Sequence, residues 1–423
     1  MAKTTGETIT ATWREESARL VGALARMTRD LDLAEDLAQD ALVSALESWP
    51  AHGIPDNPGA WLMTTAKRRA IDSFRRADNL RRKTEEIGQA LSEEEQMPDL
   101  TTQVDFIEDD ALRLIFLSCH PQLTPESRAA LTLRLVGGLT TAEIARGFLA
   151  TETAMGQRIS RAKKTLSEAH IAFDLPDVAE RADRLDDVMA VIYLIFNEGY
   201  TATAGDDWMR PELTNEAIRL SRMLAELMPD EPEVHGLQAL LELQTSRAAA
   251  RVDVEGRAVL LDDQDRSLWD QGLIRRGLAA LERAEQLAVR GKPVGRYYLQ
   301  AAIASRHARA STPEETDWRA IAIVYDVLAE TAPGAVVEVN RAVAHGRAFG
   351  PESGLAILDD LSERALAGSH LLPSVRADLL ARAGRHDDAA ASFREAASLT
   401  SNMSERSLLL DRAERSQRTA AGS

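Results

Sequence analysis

Apolar residues recur at helical spacing along almost the whole chain, while alternation of the strand kind is short wherever it occurs. Leu20, Ala23, Leu24 and Met27 mark one amphipathic helix. Leu33, Leu37, Ala41, Leu42, Ala45, Leu46 and Trp49 mark a second. A run of turn formers follows (Pro50, Gly53, Pro55, Asp56, Asn57, Pro58, Gly59), then a third helix from about Ala60 through Phe74. The next segment, with Glu93, Glu94, Glu95 and Pro98, has little apolar periodicity and reads as a flexible linker. Periodicity returns at Phe106 and continues to the end. The pattern predicts an all-α chain in four parts: 10–77, a linker over 78–105, a compact helical domain over 106–173, and a long helical region over 174–423.

Composition agrees with helices. Ala, Leu, Arg and Glu dominate, aromatics are only 4%, and unbranched side chains lose little rotamer freedom in a helix. The lone cysteine, Cys119, excludes a disulfide framework and any multi-thiolate zinc site. No apolar leader and no run of bilayer-spanning length is present, so the cytoplasm is the expected compartment and no membrane partner is expected. The net charge of −17 argues at first against nucleic acid, yet its distribution reverses that reading. Lys67, Arg68, Arg69, Arg75, Arg76, Arg81, Arg82 and Lys83 are opposed only by Asp72 and Asp78. Arg158, Arg161, Lys163 and Lys164 form a second island with no acid.

The second island lies in a specific local pattern. Thr124 followed by Pro125 starts one helix, and Thr140 followed by Glu143 is a capping box, hydroxyl and carboxylate each taking an orphan amide. After a break at Leu149-Ala150-Thr151, Met155, Ile159, Ala162 and Leu166 form an inward stripe. Thr153, Gln157, Arg158, Ser160, Arg161 and Lys164 then carry donors suited to base edges and phosphates. A short helix, a tight turn and a longer basic helix make a helix-turn-helix. An αα-hairpin with a basic face stands beside that reading, because the turn lacks a glycine and Gly156 interrupts the second helix.

The first part carries two further surfaces. Asp32, Asp36, Asp40 and Glu47 recur at helical spacing as an acidic stripe beside an apolar ridge. On the next helix Trp61 precedes the basic run, and cations beside an aromatic suit melted nucleic acid. Trp49 and Trp61 equally fit a core.

Three segments together, Asp36-Leu37-Ala38-Gln39-Asp40-Ala41-Leu42, Gly59-Ala60-Trp61-Leu62 and Ala66-Lys67-Arg68-Arg69-Ala70-Ile71-Asp72-Ser73-Phe74-Arg75-Arg76, resemble the second domain of sigma-70 family proteins. The helix-turn-helix resembles their fourth domain, and the linker with no third domain resembles the extracytoplasmic-function (ECF) group. The resemblance implies that Asp36, Leu37, Asp40 and Leu42 dock on the clamp helices of the largest subunit of core RNA polymerase. It implies that Trp61, Lys67, Arg68, Arg69, Arg75 and Arg76 hold and help melt the −10 element of promoter DNA. Thr153, Gln157, Arg158, Ser160, Arg161 and Lys164 would read the −35 element. Where the family commonly has asparagine this chain has Arg68, so no base preference carries over there, and a phosphate contact is the alternative.

Beyond Phe173, Leu380 to Ala397 reads as two helices joined at a glycine, with a weaker echo upstream from Val343 to Leu358. Such pairs resemble tetratricopeptide (TPR) repeats, and the whole chain, Asn197-Glu198-Gly199-Tyr200 included, resembles a sigma subgroup with a TPR-like extension. Repeat solenoids offer concave surfaces to a protein or peptide partner. No P-loop, Rossmann glycine fingerprint, nucleophile elbow or zinc-protease motif occurs, the histidines lack ligand spacing, and Cys119-His120 reads as structural. A non-enzyme without metal or cofactor is expected. Two rivals remain at this stage: a polymerase-independent helix-turn-helix regulator with a TPR-like sensor, and a TPR-like scaffold that binds only proteins.

Overall fold

The computed structural model describes residues 5–85, 107–148, 150–169, 171, 173–177, 180–200, 211–253, 259–361, 366, 368–400 and 403–422. Most of the expected linker, and Leu149 in the helix-turn-helix break, lie outside them, as do the side chains of Arg76, Arg81, Arg82 and Lys83. Among the described residues the regular structure is helical, with no strand. The chain forms two compact units, Met1–Ile195 and Phe196–Ser423.

The first unit holds α1 (Thr5–Thr28), α2 (Leu31–His52), α3 (Pro58–Glu85), α4 (Ile107–Ser118), α5 (Pro125–Leu135), α6 (Thr141–Gly147), α7 (Glu152–Glu168) and most of α8 (Arg181–Tyr200). Asp30 starts α2 by accepting the amides of Asp32 and Leu33 on its carboxylate, which satisfies two orphan donors. The helix stops at Gly53, whose φ of +88° suits glycine. α1 packs against α2, α3 and α4. At its crossing with α4, a Cβ on Gly22 would lie 2.6 Å from the carbonyl oxygen of Asp110, so only glycine allows that approach. Asp110, fully buried there, pairs with Arg26 at 2.9 Å and Arg113 at 2.8 Å.

One boundary differs from the sequence reading. α3 runs past Phe74 to Glu85, so the first residues of the expected linker are helical. Loss of apolar periodicity does not exclude a helix, because the Arg, Lys, Leu and Ala of this stretch favour one on their own. The first unit also reaches beyond Phe173. Arg184 on α8 donates to the carbonyl of Phe116, and Asp187 pairs with Arg128 at 2.7 Å.

The second unit continues with α9 (Pro211–Leu227), α10 (Pro232–Thr245), α11 (Gln271–Val289), α12 (Arg296–Arg309), α13 (Trp318–Thr331), α14 (Ala335–Phe349), α15 (Pro351–Asp359), α16 (Leu371–Arg382), α17 (His386–Leu399) and α18 (Met403–Gly422). Consecutive helices pack on one another, and α10 also meets α12 as α14 meets α16. That is the stacking of a helical repeat. The predicted helix pair near the C-terminus is α16–α17, turning at Gly384 with φ +78°. In the upstream echo the turn falls at Gly350, and Gly346 is buried within α14, against Leu379. Gly199 ends α8 against α9, where a Cβ would lie 2.6 Å from the amide nitrogen of Thr214. Next to it Tyr200 stacks on Phe196, and its hydroxyl donates to the carbonyl of Gln244. Glu233 on α10 accepts the amides of Gly295, Tyr297 and Tyr298 at 2.8–3.0 Å, capping α12 from a distant helix.

Candidate nucleic-acid and docking surfaces

The capping box forms as the sequence predicts. The Thr140 hydroxyl accepts the Glu143 amide and the Glu143 carboxylate accepts the Thr140 amide at 2.8 Å. Burial works against the Glu143 carboxylate, but the hydrogen bonds from Thr140 and the Arg14 guanidinium outweigh it and hold its pKa below the usual range. Gly138, with φ +69°, supplies the turn that leads into α6. Thr151 caps α7 on the amide of Ala154, and Met155, Ile159, Ala162 and Leu166 are all buried. α7 packs on both α5 and α6, so the helix pair has the support of the helix that Thr124 starts.

With the inward stripe fixed, the other face follows from the helical period. Thr153, Gln157, Ser160, Arg161 and Lys164 are exposed, and Arg158 is half-buried at their edge. Lys163 belongs to neither stripe. Its ammonium reaches α2, bonding Asp32 at 2.7 Å and pairing with Glu35. Burial disfavours that charge, yet the two carboxylates prevail and raise its pKa.

On α3, Trp61, Arg68 and Arg75 stand at intervals of seven residues and so share a face, with Asp72 interrupting it. Arg68 and Arg75 are exposed, and Trp61 and Lys67 half-buried. Trp61 stacks edge-on against Trp49 at 5.5 Å, and Trp49 is the core member of the pair, 1% exposed. Arg69 is occupied within the chain, donating to Asp40 at 3.0 Å and to Ser44 at 2.8 Å.

α2 separates the docking residues implied by the resemblance. Asp36 and Asp40 are exposed, Leu42 is half-buried, and Leu37 is buried with Ala34, Ala38 and Ala41. The exposed large hydrophobic residues of α2 are Val43 (48%) and Leu46 (50%), to which the sequence assigned no docking role. The signal was present: Val43 falls seven residues after Asp36, on the face of Asp36, Asp40 and Glu47. Cys119 is buried against the Thr132 hydroxyl, and burial pushes its thiol up to about 12, so it is chemically quiet.

These elements define a helix-turn-helix protein with a second basic helix and an acidic, partly apolar face beside it. Sigma-70 region 2 matches residues 13–80 and sigma-70 region 4 matches residues 113–166. A family of unknown function (DUF6596) matches residues 184–285, which spans the boundary between the two units. An uncharacterized protein of Rhizobium meliloti is 44% identical over 394 residues, covering 91% of this chain and 90% of its own. A probable ECF RNA polymerase sigma factor, SigI of Mycobacterium tuberculosis, is 27% identical over 173 residues, 41% of this chain and 59% of that protein. SigK of Mycobacterium ulcerans, an ECF RNA polymerase sigma factor, is 28% identical over 156 residues, 35% of this chain and 78% of its own. No solved structure matches. The chain belongs to the ECF group of the sigma-70 family and carries a helical C-terminal extension.

Proposed function

We propose that the chain binds core RNA polymerase and directs it to a specific promoter. The observation that carries this reading is the outward stripe of α7, Thr153, Gln157, Ser160, Arg161 and Lys164, on a supported helix-turn-helix in a chain that also has the Trp61-Arg68-Arg75 face of α3. A helix of this kind enters the major groove, where amide, hydroxyl and guanidinium donors meet base edges and phosphates. The α3 face offers a stacking ring and two cations to the melted −10 strand. Lys67 and Arg76 belong to the same basic run, while Arg69 acts by tying α3 to α2. On α2, Asp36, Asp40, Val43 and Leu46 offer the polymerase charge and apolar surface, with Leu42 at the edge and Leu37 supporting them from the core.

The acidic remainder of the chain opposes non-specific DNA binding by the free protein, so that promoter engagement depends on the polymerase. RNA polymerase works in the cytoplasm, and no described helix is long and apolar enough to cross a membrane. The extension takes a regulatory role, through a protein or peptide partner or within the chain itself. Run-off transcription with core polymerase and candidate promoters tests the reading. Core-dependent initiation is expected. Promoter binding without core would favour an independent regulator, and neither outcome would leave a protein-binding scaffold.

A further inference from the structure

We propose that Arg347 and Arg382, at the ends of α14 and α16, form a site for the carboxylate of an acidic peptide on a partner protein, with Asp262 of this chain as the resident stand-in. The proposal rests on the reading of the extension as a partner-binding module and names the partner's chemistry. Basic residues stand in the last turns of three helices of the second unit: Arg306, His307 and Arg309 on α12, Arg347 on α14 and Arg382 on α16. A cation there is favourable by itself, because it faces the negative end of the helix dipole. Here the ends also come together. Arg347 lies over the Trp318 ring at 4.6 Å, and His307 meets the same ring edge-on at 5.2 Å. Burial, together with the guanidiniums of Arg247, Arg266 and Arg347, pushes the His307 imidazole down to about 4, and Asp262 is the acid that works against that shift. The Nε of Arg266 and the Nε1 of Trp318 are buried with no hydrogen-bond partner among the described residues. In a chain of net charge −17, this place is rich in donors and short of acceptors.

One segment of the chain already shows what fits there. Residues 259–270 cross the same helix ends. The amide of Asp270 donates to the carbonyl of Ser246 at the end of α10. Arg266 donates to the carbonyls of His307 and Ala310 at 3.0 and 2.6 Å and to the Thr316 hydroxyl at 3.1 Å. Asp262 spans α14 and α16. Its two oxygens accept from the two terminal nitrogens of Arg347 at 2.5 and 3.4 Å, and Arg382 lies 3.5 Å away. That two-pronged contact is how a guanidinium selects a carboxylate.

The segment is held unevenly. Trp269 is buried and Arg266 is bonded three times, whereas the turn Leu261–Asp263 contains no buried residue. Asp262 can therefore leave without uncovering a core, and its departure frees both guanidiniums. Arg382 stays oriented by Asp378, which its Nε meets at 2.8 Å. Leu260, two residues before Asp262, and Phe349, two residues after Arg347, are exposed and supply apolar surface beside the charge. The ligand that fits is a peptide with an aspartate or glutamate next to an apolar residue.

A fluorescein-labelled synthetic copy of residues 259–270 is the probe, titrated by anisotropy into the full chain. Wild type should bind it weakly, because its own Asp262 holds the site. Asp262→Asn should bind it roughly tenfold tighter, as an open site replaces one filled about nine-tenths of the time. A probe with asparagine in place of the aspartate should lose that gain, a change that leaves the folding of the protein untouched. Arg347→Gln with Arg382→Gln, in the Asp262→Asn chain, should lose it as well, while Arg347→Lys, which keeps the charge but not the fork, should fall between. Equal affinity of wild type and Asp262→Asn, or of the aspartate and asparagine probes, overturns the proposal. Displacement of the probe by inorganic phosphate as readily as by unlabelled peptide overturns it too, since the site would then take any anion. Run-off transcription keeps the two readings apart. If removing the extension changes transcription yet the probe ignores Asp262, the regulatory role stands and this site falls. If the probe binds as expected but the extension has no effect on transcription, the site stands as a docking point and the regulatory role fails.

Discussion

Single side chains on α2 divide into those that build the helix and those that offer it to a partner, and substitution separates the two. Leu37→Ala removes a buried side chain and is expected to cost about 2–5 kcal/mol of stability, read by denaturant unfolding. Val43→Ala and Leu46→Ala remove exposed apolar surface; stability should stay within about 0.5 kcal/mol while affinity for core polymerase falls. Equal loss of stability in both sets would remove the distinction. On α7, Arg161→Ala should weaken promoter binding by about 1–3 kcal/mol and relax preference at one base position if it reads a base. Anisotropy titrations against matched and base-substituted −35 duplexes measure both effects. A loss uniform across sequences makes Arg161 a phosphate contact. Gly199→Ala forces a Cβ onto the amide of Thr214 and is expected to cost about 1–3 kcal/mol by overpacking.

At the scale of the element, the capping box at Thr140 and Glu143 links the entry of α6 to pH. The Glu143 pKa is held below the usual carboxylate range, so its stabilisation is present above the unfolded-state value and is lost as pH falls through the folded value. Glu143→Gln should therefore flatten the acid limb of the melting profile, at a cost of about 0.5–2 kcal/mol near neutrality. A profile with the wild-type slope would show that the charge contributes nothing. Much at this scale was legible in the chain: the capping box, the Thr124 cap, the Met155-Ile159-Ala162-Leu166 stripe and the turn at Gly384 all rest on residues close in sequence. What the periodicity concealed was long-range. Lys163 reads as one more cation of a basic island until α2 is folded against it, and Arg69 likewise until Asp40 is in place. Trp13 and Ser17 carry no local signal for their partners at Gly138 and Val136. Leu37 showed the apolar ridge but not which side of it faces solvent.

For the whole molecule, the division into units sets how the extension should be removed. A chain cut after Phe173 loses Arg184 and Asp187, hence the bond to the Phe116 carbonyl and the pair with Arg128. That cut should lower the stability of the sigma core, whereas a cut after Tyr200 keeps those contacts. If the extension acts within the chain, the longer fragment should differ from the full protein in promoter activity while melting as a folded unit. Unchanged run-off activity and unchanged response would exclude a regulatory role in cis. The second unit also carries a hint about how it folds. Glu233 on α10 caps α12, passing over α11, so one carboxylate ties together helices that are not consecutive. A stack held only by nearest neighbours can fray one helix at a time, but here loosening α10 exposes the first turn of α12 as well. That part of the stack should therefore unfold as one cooperative block, with its amides exchanging with solvent together.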